Sequence, residues 1–380
     1  MSVLLLFSDT GGGHRAAARA LAGALRRLAP QARVAAFDPL LGQGPATVRR
    51  ICSLYPTIIQ RWPSAWGAVY HASNLALAFG LLQTAFGRQV RRVLAGQLEA
   101  LDPDLLVSVH PLLNHVTGPL LDRGRARGLV TVVTDLIDVH RGWSFPGADL
   151  VVVPTAEART AGLRAGVPPD RIRHLGFPVD LDFRPPAPGE AAAIRRRLGL
   201  EAERPTVLVT GGGEGSGRLL EQVRALVGRP RGWQVLAVCG RNRPLQRRLE
   251  GLRAAVPIRV LGFVDDMPDL LRAADLVVSK AGPGAIAEAL ATGVPVVLTG
   301  YLPGQETANV RFLTGVGAGV YVPRPESLPD AVGGLLADPD RYRRMRARAL
   351  ACSRPAAALE IARRCLALAA AYRAASQARR

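Results

Sequence analysis

The stretch that decides the fold is Ser279–Asn309, SKAGPGAIAEALATGVPVVLTGYLPGQETAN. It continues an apolar run, 275–279, which predicts a buried strand. Residues 282–292 hold a glycine-proline-glycine break followed by helix formers, and Gly293 suits the position just after a helix end. The β-branched run 294–298 then predicts a second strand. This order indicates a βαβ unit of a parallel sheet, whose loop lies at the edge where such sheets bind ligands.

The loop of this unit has the chemistry of a phosphate site. Its glycines allow a ligand to approach the backbone, and a helix start offers free N–H groups and the positive end of a dipole. Glu288, one turn into the predicted helix, can reach back across the loop. A phosphate at the helix end with a carboxylate nearby for a diol fits a ribose phosphate, so we interpret the stretch as a nucleotide site. The alternative is a structural turn with a surface glutamate, since glycine loops are common.

Composition narrows the class of protein. The 380 residues are enough for two domains with separate cores. The net charge is +19 and Lys280 is the only lysine, so nearly all of the positive charge is arginine. Such a charge attracts phosphate-rich partners, but there is no zinc-finger spacing or aromatic-rich basic element, so we expect no nucleic-acid partner.

Four scattered cysteines without a CxxC motif suit a reducing cytosol. With no signal-peptide pattern and no apolar run of about 20 residues, we expect a soluble or peripheral protein.

The first half begins with another glycine loop. Residues 3–7 predict a strand, 8–14 a glycine loop, 15–28 an amphipathic helix and 34–37 a second strand. His14 stands at the helix start, where the dipole lowers its pKa and suits it to act as a base.

A dinucleotide site is an alternative interpretation of this first unit. Gly11, Gly13 and Ala16 fit the pattern G-x-G-x-x-A, and Asp38 ends the second strand, where a ribose-binding acid would lie. This interpretation leaves the second glycine loop and Glu288 unexplained.

Residues 40–101 depart from α/β alternation. The segment is rich in aromatic residues, contains the apolar run 75–82, and predicts a helix over 87–101. Tryptophan, leucine and arginine side by side are typical of a surface that contacts an anionic membrane. An ordinary helical insertion with its aromatic side chains in the core is the alternative. The candidate acceptor or membrane contacts in this segment are Trp62, Trp66, Arg88, Arg91 and Arg92.

Polar residues follow the next predicted strands, which cover 105–109, 130–133 and 150–153. The carboxyl ends of parallel strands meet at one edge of a sheet, where a substrate would lie. For His71 and His115 we expect packing roles instead. The candidates at this edge are His110, Asp135 and His140, with Trp143 close behind them.

The second half repeats this architecture. A proline-rich stretch at 183–189 predicts the domain boundary. A second glycine loop is predicted at 210–217, and the helical tail 341–379, broken at Pro355, is expected to cross back onto the first half. Two α/β halves imply a cleft to which each contributes a glycine loop. The strands predicted here cover 206–209, 234–239, 259–261, 276–279 and 294–298.

Over nearly all of its length, the chain resembles family 28 glycosyltransferases of the GT-B fold, most closely the monogalactosyldiacylglycerol synthase group. The region 40–87, which is expected to meet the lipid acceptor, matches only loosely. The resemblance rests on the order and spacing of these motifs: Ser8-Asp9-Thr10-Gly-Gly-Gly-His14-Arg15, Ser108-Val-His110-Pro111, Thr134-Asp135-Leu136 with His140 and Trp143, Gly211-Gly-Gly-Glu214-Gly, Gly262-Phe263-Val264, Lys280-Ala-Gly-Pro-Gly284 with Glu288, and Pro303-Gly-Gln305-Glu306 with Asn309.

The resemblance implies an α/β architecture of two Rossmann-like parallel-sheet domains that face each other across a cleft. An acceptor domain would cover 1–184, a UDP-sugar domain 185–355, and a helix over 356–380 would return to the first domain. His14 would take the proton from the attacking hydroxyl, and Asp135 is the second catalytic candidate.

The resemblance also places the donor. The backbone near Phe263 and Val264 would pair with uracil, and Glu288 would hold the ribose hydroxyls. His110, His140 and Trp143 would lie on the acceptor side. The residues expected at the diphosphate and the sugar are Gly12, Gly13, Gly211, Gly212, Gly213, Glu214, Gly215, Gly282, Pro283, Gly284, Gln305, Glu306 and Asn309.

The implied function is an inverting transfer of galactose or glucose from a UDP-sugar to diacylglycerol. The enzyme would lie at the cytoplasmic face of a membrane, as a peripheral protein attracted to anionic lipids. Backbone N–H groups at helix starts would stabilise the leaving diphosphate, so neither a metal nor a cofactor is expected. The alternatives are a UDP-GlcNAc-dependent transferase acting on another lipid-linked acceptor, a UDP-sugar epimerase, and a catalytically silent sensor of nucleotide sugars.

Overall fold

A computed structural model describes residues 1–10, 12–121, 128–215 and 217–378, and it divides into two compact units. The first unit comprises Met1–Leu181, the short segment Pro303–Gln305 and the C-terminal stretch Ala356–Arg380. The second comprises Asp182–Leu302 and Glu306–Pro355, so it begins close to the boundary predicted at 185.

The first unit is built on a parallel sheet in the order β2-β1-β3-β4-β5-β6. Its central strands are continuous runs of leucine and valine, as expected when helices cover both faces of a sheet. The strand order reverses between β1 and β3, which makes their carboxyl ends the switch point where such sheets bind ligands. The strands are β1 (Ser2–Leu6), β2 (Arg33–Phe37), β3 (Leu105–Ser108), β4 (Leu129–Val132), β5 (Leu150–Val153) and β6 (Ile172–His174).

Helices cover both faces of this sheet. The longest, α5, begins at Ala76, well before the start predicted at 87, because the apolar run 75–82 joins it and helices tolerate single glycines such as Gly80. The helices of the first unit are α1 (Gly13–Leu28), α2 (Ala46–Cys52), α3 (Tyr55–Arg61), α4 (Pro63–Ser73), α5 (Ala76–Leu101), α6 (Pro111–Leu121), α7 (Ala156–Arg164) and α16 (Ala357–Ala378).

The C-terminal helix α16 completes the core of the first unit. Its residues Ile361 and Cys365 are buried in one cluster with Leu21 and Leu25 of α1. The hydroxyl of Tyr372 donates a hydrogen bond of 2.6 Å to the Asp149 carboxylate. The chain therefore ends in the unit in which it starts.

The second unit has a parallel sheet in the order β12-β11-β10-β7-β8-β9, which reverses between β7 and β10. The predicted βαβ unit is β10-α12-β11, and Gly293 ends its helix at φ 75°, a conformation that favours glycine. The second strand begins at Val296, two residues later than predicted, because Val294 still donates to the Ala289 carbonyl of the helix end. The strands are β7 (Thr206–Thr210), β8 (Gln234–Val238), β9 (Ile258–Leu261), β10 (Leu276–Lys280), β11 (Val296–Gly300) and β12 (Gly319–Tyr321).

The helices of this unit are mostly short, as in other open α/β sheets with brief crossovers. They are α8 (Glu190–Arg197), α9 (Leu219–Val227), α10 (Arg243–Glu250), α11 (Met267–Ala273), α12 (Pro283–Thr292), α13 (Thr307–Gly315), α14 (Leu328–Leu336) and α15 (Pro339–Cys352). In the part of the chain that the structure describes, no helix combines the length and the hydropathy that crossing a bilayer requires.

Candidate active site

Two histidines meet at the switch point of the first sheet. His14 lies in the first turn of α1, after β1, and His110 follows β3. Their ring centroids are 4.6 Å apart in an edge-to-face arrangement. The Nδ1 atom of His14 lies 2.9 Å from the Thr134 hydroxyl, which follows the next strand of the sheet. Residues from three consecutive strand ends therefore converge on one imidazole.

Both histidines are neutral at physiological pH. Burial lowers the pKa of His14 to about 4, and a hydrogen bond to the Val109 backbone offsets only part of that effect. Burial and the neighbouring His14 hold the pKa of His110 well below its usual value. A neutral imidazole has the free lone pair that a general base requires, so His14 has the protonation state its predicted role needs.

Hydrogen bonds fix the ring of His110. Its Nδ1 accepts the backbone N–H of Leu112 at 3.4 Å, which leaves the proton of the neutral ring on Nε2. That nitrogen lies 3.2 Å from the Thr10 hydroxyl, to which it donates. Thr10 belongs to the first glycine loop, so His110 ties that loop to the start of α6. No sequence pattern indicates this role of Thr10.

Trp143 belongs to the core, which corrects its expected place on the acceptor or membrane side. Its side chain is fully buried, and its ring centroid lies 6.2 Å from that of His14. The indole Nε1 donates a hydrogen bond of 2.7 Å to Asp135 Oδ2. Trp143 therefore positions the Asp135 carboxylate near the histidine pair, and no sequence pattern indicates this hydrogen bond.

His140 links the sheet edge to helix α4. Its Nδ1 accepts the Gly142 N–H at 3.0 Å, and its Nε2 donates to the Ser73 hydroxyl at 3.2 Å. Burial, with smaller effects of Arg141 and His115, lowers its pKa to about 4. Its ring lies 5.2 Å from that of Tyr70, whose buried hydroxyl has no hydrogen-bond partner among the described residues.

Asp38 is not available to a ribose, which argues against the dinucleotide interpretation. One carboxylate oxygen accepts the Asp9 N–H at 2.9 Å, and the other accepts the N–H groups of Leu40 and Leu41, also at 2.9 Å. These bonds tie the loop after β2 to the loop after β1. Gly11, part of the same pattern, lies outside the described residues.

The helices α2–α5 carry an unusually exposed set of apolar side chains. Of the eleven large hydrophobic residues exposed in the described chain, seven lie in this segment. Among the aromatic residues of the segment, Tyr70 and Phe79 are buried, as the alternative of an insertion with aromatic side chains in its core predicts, whereas Trp62 is exposed. We call the seven residues the exposed apolar group: Ile51, Leu54, Trp62, Val69, Leu75, Leu77 and Leu81.

The predicted membrane contacts differ in their surroundings. Trp62 is 59% exposed, whereas Trp66 is half-buried against Tyr55 and donates its indole N–H to Gln305 at 3.3 Å. Trp66 therefore packs within the first unit and does not belong to the exposed apolar group. Arg88 and Arg92 are exposed on α5, whereas Arg91 is half-buried beside Gly87.

In the second unit, the loop after β7 is shaped by glycines at the switch point. Gly212 and Gly215 both have positive φ, at 73° and 57°. A β-carbon on Gly215 would lie 2.0 Å from the Cys239 carbonyl oxygen, so a side chain is excluded there. The loop packs directly on the end of β8, and its position 216 lies outside the described residues.

An arginine that the sequence analysis missed lies beside the predicted uracil position. Arg241 Nη1 forms an ion pair of 2.6 Å with Glu214 of the glycine loop. Its guanidinium stacks over the ring of Phe263 with 4.9 Å to the centroid, and Phe263 is 45% exposed. The available signal was position, since Arg241 follows β8 in the way that the predicted site residues follow their strands.

Glu288 has the surroundings of a ligand-binding carboxylate. The N-terminus of α12 has no side-chain cap, so its first N–H groups remain suited to an anion. Within the described chain no hydrogen bond or ion pair of the Glu288 carboxylate is found, and burial raises its pKa to about 8. An unpaired, half-buried carboxylate is costly, and hydroxyl donors from a ligand would relieve that cost.

Glu306 and Asn309 are used by the protein itself, which differs from the predicted sugar contacts. One Glu306 oxygen pairs with Lys280 Nζ, and the other accepts the Leu302 N–H at 2.8 Å. Asn309 Nδ2 donates to the Ala281 carbonyl at 2.9 Å, and both side chains are buried. They hold the loop after β10, where Gly282–Gly284 lie.

Comparison with known proteins agrees with this geometry. Residues 14–179 match the family model for monogalactosyldiacylglycerol (MGDG) synthase, and residues 206–359 match the glycosyltransferase family 28 C-terminal domain. A probable monogalactosyldiacylglycerol synthase of Nicotiana tabacum is 34% identical over 375 residues, which cover 94% of this chain and 69% of that protein. The synthase of Spinacia oleracea is 34% identical over 87% of this chain and 65% of its own length.

The chain belongs to the monogalactosyldiacylglycerol synthase family of glycosyltransferases. Solved structures confirm the predicted GT-B fold of this synthase-family member. Acinetobacter baumannii MurG superposes with a TM-score of 0.61 at 18% identity, over 96% of this chain and 99% of that one. Anabaena HepE in complex with UDP-glucose has a TM-score of 0.56 at 17% identity, with complete coverage of both chains.

The fold alone does not separate the synthase family from epimerases. The UDP-GlcNAc 2-epimerase of Neisseria meningitidis has a TM-score of 0.62 at 13% identity, over 96% of this chain. Sequence identity makes the distinction, because the synthases match more than 30% of residues along most of the chain. The epimerase alternative is therefore not supported.

Proposed function

We propose that this protein transfers galactose from UDP-galactose to diacylglycerol, with inversion at the anomeric carbon. The observation that carries the proposal is the neutral His14 imidazole at the switch point of a synthase-family sheet. The acceptor hydroxyl gives its proton to this ring while its oxygen bonds to the anomeric carbon. The bond from that carbon to the diphosphate breaks, and its electron pair stays on the leaving oxygen.

The second unit binds the donor in this proposal. Glu288 accepts hydrogen bonds from the ribose diol, and Phe263 with Arg241 flanks the base. The glycine loops and the uncapped start of α12 present N–H groups to the diphosphate, where charge develops during the transfer. Because these groups are fixed before the reaction, we propose that the transfer runs without a metal or a cofactor.

The first unit brings the enzyme to its acceptor. Diacylglycerol stays in the bilayer, so the enzyme must act at a membrane surface. The exposed apolar group would enter the interface, and the net charge of +19 would attract anionic lipids. We propose peripheral association with the cytoplasmic face of a membrane on this basis.

Incubation with radiolabelled donors tests the proposal. The protein is mixed with vesicles that contain diacylglycerol and with UDP-galactose, UDP-glucose or UDP-GlcNAc, and lipids are then extracted. We expect label in the lipid fraction with UDP-galactose, and a loss of that label in His14→Ala. Label from UDP-GlcNAc alone, or no labelled lipid from any donor, would contradict the proposal.

A further inference from the structure

An apolar pocket lies among helices α2, α5 and α6 of the first unit. Its lining includes Val48 and Cys52 of α2, Phe86 and Val90 of α5, and Val116 of α6. Its cavity volume is about 90 Å³, and the cavity is partly open to solvent. Side chains around unfilled space lose packing contacts, so an apolar ligand there would restore them.

The pocket adjoins the histidine cluster. Leu112 contributes to its lining, and the backbone N–H of the same residue donates to His110 Nδ1. Gln83 also contributes to the lining, and its Nε2 donates to the Leu112 carbonyl at 3.3 Å. A primary amide carries two N–H donors, of which this bond uses one. Polar groups therefore gather where the pocket meets His110.

The pocket is also continuous with the exposed apolar group. Ile51 belongs to both, since it lines the pocket and is 50% exposed. Leu82 lines the pocket next to Leu81, which is 64% exposed. The pocket therefore has one edge at the surface proposed to meet the membrane, at Ile51, and another at Leu112, whose backbone holds His110.

We infer that this pocket holds part of one fatty-acyl chain of the acceptor lipid while the free hydroxyl of that lipid lies at His14. The inference rests on the proposed function and adds a subsite to it. When the lipid hydroxyl reaches a base above the bilayer, part of an acyl chain must leave the hydrocarbon core of the membrane. Exposure of that part of the chain to water is unfavourable. The pocket provides a second apolar environment for that part of the chain.

Soluble acceptors of different chain length test this subsite without a membrane. The ratio of kcat/KM for dihexanoylglycerol to that for dibutyrylglycerol is measured with UDP-galactose. The longer acceptor buries two further methylenes in the pocket, and each buried methylene contributes a factor of roughly four. The ratio should therefore be about 15 for the unmodified enzyme. Cys52→Trp fills the pocket from α2, and its ratio should fall toward one.

Arg50→Trp is the matched control, because Arg50 is an exposed residue of the same helix that does not line the pocket. It should keep the ratio of the unmodified enzyme. A thermal melt of each variant reports folding, and Ile51→Trp at the half-exposed edge of the pocket replaces Cys52→Trp if that variant melts early. An unchanged ratio in a folded pocket variant would overturn the inference.

Binding of a fluorescent acyl probe separates failure of the subsite from failure of the proposed function. A monoglyceride with a parinaroyl chain gains fluorescence in an apolar site and requires no turnover. The unmodified enzyme and Arg50→Trp should bind it, and the pocket variant should bind it at least tenfold more weakly. Binding without turnover of any diacylglycerol would support the pocket but contradict the proposed reaction, and equal binding by the pocket variant would contradict the pocket.

Discussion

At the scale of single residues, the first unit is notable for imidazoles that stay neutral. Burial lowers the pKa of His14, His110, His115 and His140. Only His14 combines this state with a position in the first turn of a helix at the switch point. The others have hydrogen bonds or ring contacts that explain their burial as packing.

Replacement of His14 tests the base. His14→Ala should lower kcat by on the order of 100-fold or more, because the attacking hydroxyl loses its proton acceptor. UDP affinity should be almost unchanged, since the donor site lies on residues of the second unit. Because the His14 pKa is about 4, kcat should not fall between pH 8 and pH 6, where an ordinary histidine would gain its proton. Near-normal turnover of the variant would move the role to Asp135 or His140.

Glu288 should make UDP binding depend on pH. Its pKa of about 8 means that it is mostly protonated at pH 7, whereas ribose hydroxyls donate best to the ionised form. UDP affinity should therefore rise with pH through about 8, with release of a proton on binding. Glu288→Gln should weaken UDP about 10- to 100-fold at pH 9 and abolish this dependence, as measured by calorimetry in two buffers. Equal affinity of variant and unmodified enzyme would remove Glu288 from the site.

The same carboxylate should reduce the stability of the free enzyme. Its folded pKa lies above the unfolded value, so its contribution to stability is fully present below pH 4.5 and is lost as pH rises through 8. Glu288→Gln should thus melt at a higher temperature than the unmodified protein at pH 9, with no ligand present. At pH 4, below the unfolded pKa, the two melting temperatures should be nearly equal, which serves as the internal control. A lower melting temperature of the variant at pH 9 would contradict this account.

Sequence patterns indicate candidate site residues better than they indicate the contacts of those residues. His14, Asp135 and Glu288 are candidates because each stands at a strand end or near a helix start. Arg241 and Trp143 were not assigned correctly, because a stacking or hydrogen-bonding partner distant in sequence leaves no periodic signal. The hydrogen bonds of Glu306 and Asn309 within the protein were missed for a related reason, since a motif does not reveal which polar groups the protein itself uses.

At the scale of elements, the α2–α5 segment was the hardest to predict. Strands such as β7 and β10 are continuous apolar runs, and their predicted boundaries lie within about two residues of those in the structure. By contrast, α2–α5 place apolar side chains both in the core and in solvent, so no single stripe marks a buried face. Apolar residues on a surface that meets a membrane weaken the alternation of apolar and polar residues from which helices are predicted.

Membrane binding should depend on exposed members of this segment. Trp62→Ala combined with Leu77→Ala should reduce co-sedimentation with phosphatidylglycerol vesicles at least severalfold, without loss of thermal stability, because both side chains are exposed. Binding of the unmodified protein should rise with the phosphatidylglycerol content and fall with salt. Tyr321→Ala, at an exposed aromatic residue of the second unit, is the control and should bind normally. Normal binding by the double variant would exclude this surface.

At the scale of the whole molecule, the alternation of apolar runs and glycine loops was sufficient to predict the fold class. Each sheet has its own core, and the switch points coincide with the two glycine loops that the sequence analysis selected. The helical tail was harder to place, because its small alanine-rich face specifies little beyond close packing. Its partner became clear only from the burial of Ile361 and Cys365 against α1.

The neutral histidines should also make the molecule sensitive to acid. Their folded pKa values lie below the unfolded value of about 6.5, so the stability they contribute is present above pH 6.5 and is lost as pH falls toward 4. The melting temperature should drop steeply over that window. His140→Gln should flatten the drop, because one fewer imidazole gains a proton on unfolding. A melting temperature that is constant between pH 6.5 and pH 4 would contradict this expectation.

The return of α16 to the first unit has a consequence for synthesis on the ribosome. Roughly 175 residues separate Leu181 from Ala356, so at 5–20 residues per second the ribosome takes about 9 to 35 s to reach the missing helix. Throughout that interval, Leu21 and Leu25 lack the partners that α16 supplies, such as Ile361 and Cys365, while the second unit is complete as soon as Pro355 has emerged. The half of the protein that is made first is therefore completed only after the second unit has been made, and until then the face of α1 that packs against α16 needs protection.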